Sequence, residues 1–358
     1  MNKYVNKFVA RYLIDALSGM AQGLFASLLI GTIVKTIGQQ LLRLGQNPVF
    51  HFFVDAGAFA TDAHVVGAAM AVGIGFAMKI PALVLFSLVA VGSAANVSGG
   101  AGGPLAVLVI AVAAAELGNL VSKKTKVDII VTPLVTILSG ALLTVLFARY
   151  IGLAASSIGN IIVWATKLHP FVMGIIISVI VGVVLTLPIS SAAICAALGL
   201  VGLAGGAAVA GCSAQMVGFA VLSFRENGWG GVLSQGLGTS MLQMPNIIKN
   251  PKIWIPPTLA SAITGPIATC LFKMEMNGAA VSSGMGTCGL VGQIGVISGW
   301  FSPSEAALKH GAASISPSAF DWLGLILVCF VLPGVLSWAF GVLLRKIGWI
   351  KEGDLILE

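Results

Sequence analysis

Apolar runs long enough to cross a bilayer recur along this sequence, at about 13–34, 64–79, 81–97, 104–121, 128–148, 170–187, 205–224, 256–272 and 318–343. A spanning helix needs about 20 such residues, because a rise of about 1.5 Å per residue must cover a hydrocarbon core of about 30 Å. Two further apolar stretches, 188–203 and 278–300, are interrupted by Gly, Ser and Thr and read either as spans or as re-entrant hairpins. The expected fold is therefore an all-α polytopic membrane protein of roughly 8–10 transmembrane helices plus re-entrant hairpins. Charge supports this. Asp, Glu, Lys and Arg make up 9% of the 358 residues and mean hydropathy is +1.02, against about 25% charged residues in an ordinary soluble domain. A soluble enzyme and a nucleic-acid-binding module are excluded. The net charge of +7 instead fits the Lys and Arg that collect in cytoplasmic loops.

Those cations also orient the chain. Lys3, Lys7 and Arg11 precede the first run. Lys79 follows the second, Lys123, Lys124 and Lys126 follow the fourth, and Arg345, Lys346 and Lys351 follow the last. Both termini and the 123–126 loop are expected on the cytoplasmic side of the membrane. The first apolar run continues to about Val34 without a small-residue cleavage pattern, so it reads as a retained helix. The whole chain reads as one integral membrane domain, with a first bundle over 1–149, a connector over 150–168 and a second bundle over 169–345. The connector carries Ser156, Ser157, Asn160, Trp164 and Lys167. It reads as an amphipathic helix in the membrane interface, or alternatively as a further tilted span. The glycine runs 199–206 and 284–292 have two readings, close helix packing or broken helices whose free backbone groups line a polar cavity.

Little in the chain points to catalysis. The cysteines Cys195, Cys212, Cys270, Cys288 and Cys329 lie in apolar stretches without a Cys-x-x-Cys pair and read as ordinary buried thiols. His51, His64, His169 and His310 are scattered. No triad, metal cluster or phosphate-binding loop is present, and neither a cofactor, a metal nor a catalytic residue is expected. Glu116 and Asn119 share a helix face, either inside the membrane or near its inner surface. Asp15, Asp55, Asp62 and His64 read as interfacial. The densest polar stretch is in the second half: Thr186-Leu-Pro188-Ile-Ser190-Ser191, then Gln215, then 235–251 with Thr239, Ser240, Gln243, Pro245, Asn246, Asn250 and Pro251. Hydroxyls and amides without a carboxylate suit a neutral polyol or sugar, or equally exposed backbone. Prolines 188 and 245 break helices where water is scarce, so both stretches are expected to face one polar cavity near the membrane midplane. The candidate solute-binding residues are Ser190, Ser191, Gln215, Thr239, Ser240, Gln243, Asn246 and Gln293.

The order of these features resembles the EIIC membrane component of the bacterial sugar phosphotransferase system, in its fructose/mannitol-like branch. Val131-Thr-Pro133 through Gly140 is similar to that family's central proline-containing helix. Leu187-Pro188-Ile-Ser190-Ser191-Ala-Ala is similar to its Gly-Pro-x-Asn-Lys-Ala-Ala segment. The run from Gly238 through Pro245 to Asn250-Pro251 resembles its Gly-Ile-Thr-Glu-Gly-Ala-Ile-Pro…Asp-Pro signature, and Ile255-Pro256-Pro257 continues it. Ile14–Phe25 and Asn227-Gly-Trp229-Gly-Gly resemble an EIIC-like group that includes the perfringolysin-regulator type. The resemblance implies a two-bundle, elevator-type architecture and a homodimer formed through the first bundle. It also implies a small sugar-like solute, and phosphorylation by separate EIIA and EIIB proteins because neither is expected within this chain. Two positions depart from the pattern. Met241 stands where the family has its Glu, and Ser190 where it has Asn. Methionine is a weak acceptor. Glu275 is either a replacement carboxylate or a loop residue.

Three functions remain open on the sequence. The first is a translocation subunit for a small polar solute, carried between the two halves. The second is a membrane-embedded ligand sensor or regulator on the same scaffold, favoured by Met241. The third, weaker reading is a transporter for an apolar or anionic metabolite.

Overall fold

The computed structural model describes residues 8–42, 45 and 47–357; Lys3 and Lys7 of the charge argument lie outside them. Among the described residues the chain is helical, with one isolated bridge, Gly202 to Met276, in place of any strand. The main elements are α1 (Ala10–Leu42), α2 (Pro48–Ala60), α3 (Ala63–Ala77), α4 (Ala82–Gly99), α5 (Gly103–Val121), α6 (Asp128–Ala165) and α7 (Pro170–Thr186). They continue as α8 (Ser191–Ala197), α9 (Gly202–Leu222), α10 (Phe224–Leu233), α11 (Met244–Lys249), α12 (Ile255–Pro266), α13 (Val291–Phe301) and α14 (Ala319–Lys346). The chain is an all-α polytopic membrane protein. Among the described residues, five helical stretches are long and apolar enough to cross a membrane by themselves, or six with α2 and α3 counted as one span bent by 55°. One of the five, Ala82–Val121, holds two separate apolar runs. Gly100 (φ +52) turns the chain between α4 and α5, and the two helices pack against each other.

Internal contacts divide the chain into Met1–Ala155 and Ser156–Glu358, the boundary falling inside α6. In the first unit α1 runs antiparallel to α2 and α3, and small residues set the contact. A Cβ added to Gly19 would lie 2.2 Å from the Gly73 carbonyl oxygen, and one added to Gly23 would lie 2.3 Å from that of Ala69. Gly31 meets Ala60 and Gly38 meets Val54 in the same register. Lipid gives helices no hydrophobic reason to associate, so backbone-to-backbone packing of this kind supplies the attraction. Sequence reading did not assign α2. Its start is nevertheless well specified: Asn47 accepts from Val49 N at 2.9 Å and Pro48 follows at the first helical position. Asp62 caps α3 through His64 N at 2.9 Å, and His64 Nδ1 sits 2.8 Å from Ser93 Oγ. These two residues therefore tie α3 down. Glu116 accepts from Arg11 Nε and Nη2 at 2.9 and 2.8 Å, with both side chains about one-third exposed.

In the second unit α9 is the central element. It is buried on nearly every side, between α7, α12 and α14. Both glycine runs break helices here. Gly199, Gly202, Gly286 and Gly289 all have φ between +52 and +67, a region open to glycine at little cost. Stretch 188–203 consequently holds the seven-residue α8 and no more than the first two residues of α9. Stretch 278–300 consists of short 3-10 turns followed by α13. One cysteine departs from expectation: Cys195, Cys212, Cys288 and Cys329 are buried, but Cys270 is exposed, because it lies on an outward face of the turn that continues α12.

Candidate functional site

The two proline breaks meet. Helix α7 ends at Thr186, with Leu187 extended ahead of Pro188. The chain from α10 reaches Thr239 in extended conformation, and Thr239 Oγ1 accepts from Met241 N at 3.2 Å to open a 3-10 turn, Ser240–Gln243. Thr186 Oγ1 and Ser240 Oγ lie 2.7 Å apart, both fully buried. Gln215, at the middle of α9, joins them. Its Oε1 accepts from Trp254 Nε1 at 3.0 Å and, weakly, from Thr186 Oγ1 at 3.4 Å. Its Nε2 donates to Thr258 Oγ1 at 3.2 Å and lies 3.5 Å from Ser261 Oγ. A buried primary amide has four hydrogen-bonding positions, and each of Gln215's has a neighbour.

Ser190 and Ser191 serve the break itself. Ser190 Oγ caps α8 by accepting from Ala193 N at 3.2 Å. Ser191 Oγ donates to the Gly284 carbonyl at 2.7 Å, and Ser283 Oγ donates to that of Leu200 at 2.6 Å. Side chains thus fasten the two broken segments to each other. Freed carbonyls need such donors where water is excluded.

Gln243 and Asn246 form a third group, and their partners lie far along the chain. Gln243 Nε2 donates to Gln235 Oε1 at 2.9 Å and to the Leu355 carbonyl at 3.0 Å. Asn246 Nδ2 donates to Gln243 Oε1 and to the Ile356 carbonyl, both at 2.8 Å. Asn227 completes the clamp, donating to Leu355 O at 2.8 Å and accepting from Leu357 N at 2.9 Å. Asn250 Nδ2 reaches Trp349 O and Asp354 Oδ2 at 3.0 and 2.7 Å. Segment 349–357 is therefore held by side-chain amides of the Asn227–Asn250 region, and Leu355 is fully buried.

Gln293, on α13, stands apart. Its Nε2 donates to Ser213 Oγ at 3.2 Å, while its Oε1 is buried and has no hydrogen-bond partner among the described residues. Glu275 accepts from Asn277 Nδ2 at 2.8 Å and lines a small pocket of about 90 Å³ with Lys273, Asn277 and Asp321. Met241 is buried, at 2% exposure. The candidate residues thus fall into separate hydrogen-bonded groups. Sequence reasoning missed Trp254, Thr258 and Ser261 beside Gln215. Thr258 and Ser261 share one face of α12 at helical spacing, a signal that points to a polar face but not to its partner.

A family model described as "Phosphotransferase system, EIIC" matches residues 14–357. No curated protein matches the chain.

Proposed function

We propose that this chain, which belongs to the phosphotransferase-system EIIC family over nearly its whole length, binds and translocates a small hydroxylated, sugar-like solute through its second unit. Membership makes it a membrane-embedded component of that transport system; the solute and the residues that hold it are our reading. Its main support is the buried polar groups inside an apolar bundle, which lie in two separate places. Thr186 and Ser240 meet from two broken segments; apart from that junction, the buried Gln293 Oε1 is left as an acceptor without a partner among the described residues. An orphaned buried acceptor costs about 1–3 kcal/mol and calls for an explanation. A solute hydroxyl donating to it is the explanation we adopt. Ser190, Ser191, Gln215, Thr239, Ser240, Gln243, Asn246 and Gln293 are the groups proposed to line or support the site. Movement is proposed to be elevator-like, the chain to be a homodimer through its first unit, and both termini to face the cytoplasm of a bacterial cell. Separate EIIA and EIIB proteins are proposed to supply any phosphorylation.

The test is a thermal-shift panel of sugars, polyols and carboxylates on the purified protein, followed by exchange of the labelled hit across proteoliposomes. A ligand that binds the native state raises its melting temperature. We expect a sugar or polyol to do so and to exchange. Stabilisation by carboxylates alone overturns the reading.

A sensor that binds without transporting is favoured by one observation. Met241 is buried where the family carries its Glu, and the neighbouring amides of Gln243 and Asn246 are engaged with residues 355 and 356. Binding of a sugar without exchange in proteoliposomes selects that reading.

A further inference from the structure

The last turn of α9, the length of α10 and the final turns of α14 enclose a groove of about 370 Å³. The solute reading does not use it. Its walls are apolar, with Val221 and Leu222 from α9, Val232 from α10, and Trp338 and Val342 from α14. At Gly341 of α14 the Leu222 side chain of α9 occupies the space a Cβ would take, its Cδ1 lying 2.1 Å from that position. One end is cationic. Arg345 and Arg225 both line it, but their charges are not equivalent. Arg345 Nη2 donates to Glu226 Oε1 at 2.7 Å and to the Leu222 carbonyl at 3.3 Å, so its charge is compensated. Arg225 is exposed and has no hydrogen bond, ion pair or ring contact among the described residues. Beside it Phe224 and Trp229 pack edge to face at 5.4 Å, and Trp229 is 73% exposed. Trp338 lies two turns before Arg345 on α14, about 10 Å along the helix axis. The groove therefore runs from an uncompensated cation into apolar depth.

We propose that this groove is a binding site for one anionic phospholipid, with its phosphate on Arg225 and part of an acyl chain along Val221, Val232, Val342 and Trp338. Other ligand classes fit less well. A sugar or polyol needs several convergent polar groups, and the only charged or strongly polar side chains lining the groove are the two guanidinium groups. A neutral lipid covers the walls but leaves Arg225 without a counter-charge. Arginine and tryptophan side by side mark the depth at which headgroups lie, and basic pockets between spanning helices select anionic headgroups. A guanidinium binds phosphate through a charge-assisted, bidentate contact.

The test uses the whole purified chain in mild detergent, titrated with phosphatidylglycerol or with phosphatidylcholine of the same acyl chains. Bound lipid is counted by native mass spectrometry and stability followed by thermal unfolding. Wild type is expected to retain one phosphatidylglycerol and to be stabilised more by it than by phosphatidylcholine. Arg225→Gln is expected to lower phosphatidylglycerol affinity by about tenfold or more, as loss of one charge-assisted contact implies, with phosphatidylcholine unaffected. Arg225→Lys is expected to keep the preference in part, and Val342→Trp, which fills the groove, to reduce binding of both lipids. Equal retention of the two lipids by wild type overturns the proposal, as does an unchanged preference in Arg225→Gln. Full lipid binding by a folded Val342→Trp variant overturns the placement.

Discussion

Thr186 Oγ1 and Ser240 Oγ, 54 positions apart in the chain, lie 2.7 Å from each other in the buried interior of the second unit. One closes the helix before Pro188 and the other opens the turn before Pro245. Two breaks that each leave backbone groups unpaired are thereby joined through side chains. Gln215 and Trp254 extend the junction into α9 and the start of α12.

This junction is measurable as a coupling. Thr186→Val removes one hydroxyl and leaves Ser240 with one fewer partner. Each of Thr186→Val and Ser240→Ala is expected to lower stability by about 1–3 kcal/mol. The double variant is expected to cost less than the sum, with an interaction energy of about 0.5 kcal/mol or more. Reversible unfolding of the four proteins in detergent gives the cycle, and strict additivity would show that the contact contributes nothing.

A second prediction concerns the clamp on segment 349–357. Asn227→Ala removes both the donor to Leu355 O and the acceptor for Leu357 N. Amide hydrogen exchange in 350–357 is expected to rise, with little change in α1–α5. Gln243→Ala should act in the same direction, since it removes a second donor to Leu355 O. Unchanged exchange in both variants would mean that other contacts hold the segment.

Packing in the first unit predicts steric sensitivity. Gly73→Ala places a methyl group 2.1 Å from the Gly19 carbonyl oxygen, where only backbone movement relieves the clash. Overpacking of this kind costs about 1–3 kcal/mol, and a lower melting temperature is expected. Gly230→Ala is the control, as nothing lies within 4 Å of a Cβ there. Equal effects of the two substitutions would remove the argument from close approach.

What the sequence made legible and what it hid have physical causes. Lipid demands long apolar runs and internally paired backbone, so the class of fold follows from composition and run length. Pro188 and Pro245, with glycines 199, 202, 286 and 289, announce broken helices because few other residues force or tolerate such backbone. Helix α2 was hidden because Asp55 and His51 interrupt its apolar pattern, although Asn47-Pro48 is an ordinary start signal. The partners of polar side chains were illegible in principle. Gln243 and Asn246 offer the same donors whether they bind a solute hydroxyl or the carbonyls of Leu355 and Ile356, and only folding brings that segment to them. Arg11 and Glu116 are a similar case: alone, Arg11 reads as a cation flanking the first span and Glu116 as lying either inside the membrane or near its inner surface, and their pairing spans 105 positions.

The last prediction concerns Met241. At 2% exposure it follows directly on Thr239 and Ser240, and its own N–H donates to Thr239 Oγ1. Replacing it with glutamate puts a carboxylate among buried apolar and hydroxyl groups. An ion without a partner there is costly, so the ligand-free variant is expected to melt at a lower temperature than wild type. If the scaffold retains a sugar site, hydroxyls of a bound sugar supply the missing donors. Stabilisation by sugars should then be larger in Met241→Glu than in wild type. Met241→Gln separates charge from shape, because it offers an acceptor and donors without an ionised group. The expected order of sugar-induced shift is Glu above Gln above Met. The same shift in all three proteins would show that position 241 does not face the solute, and would move the site toward Gln293.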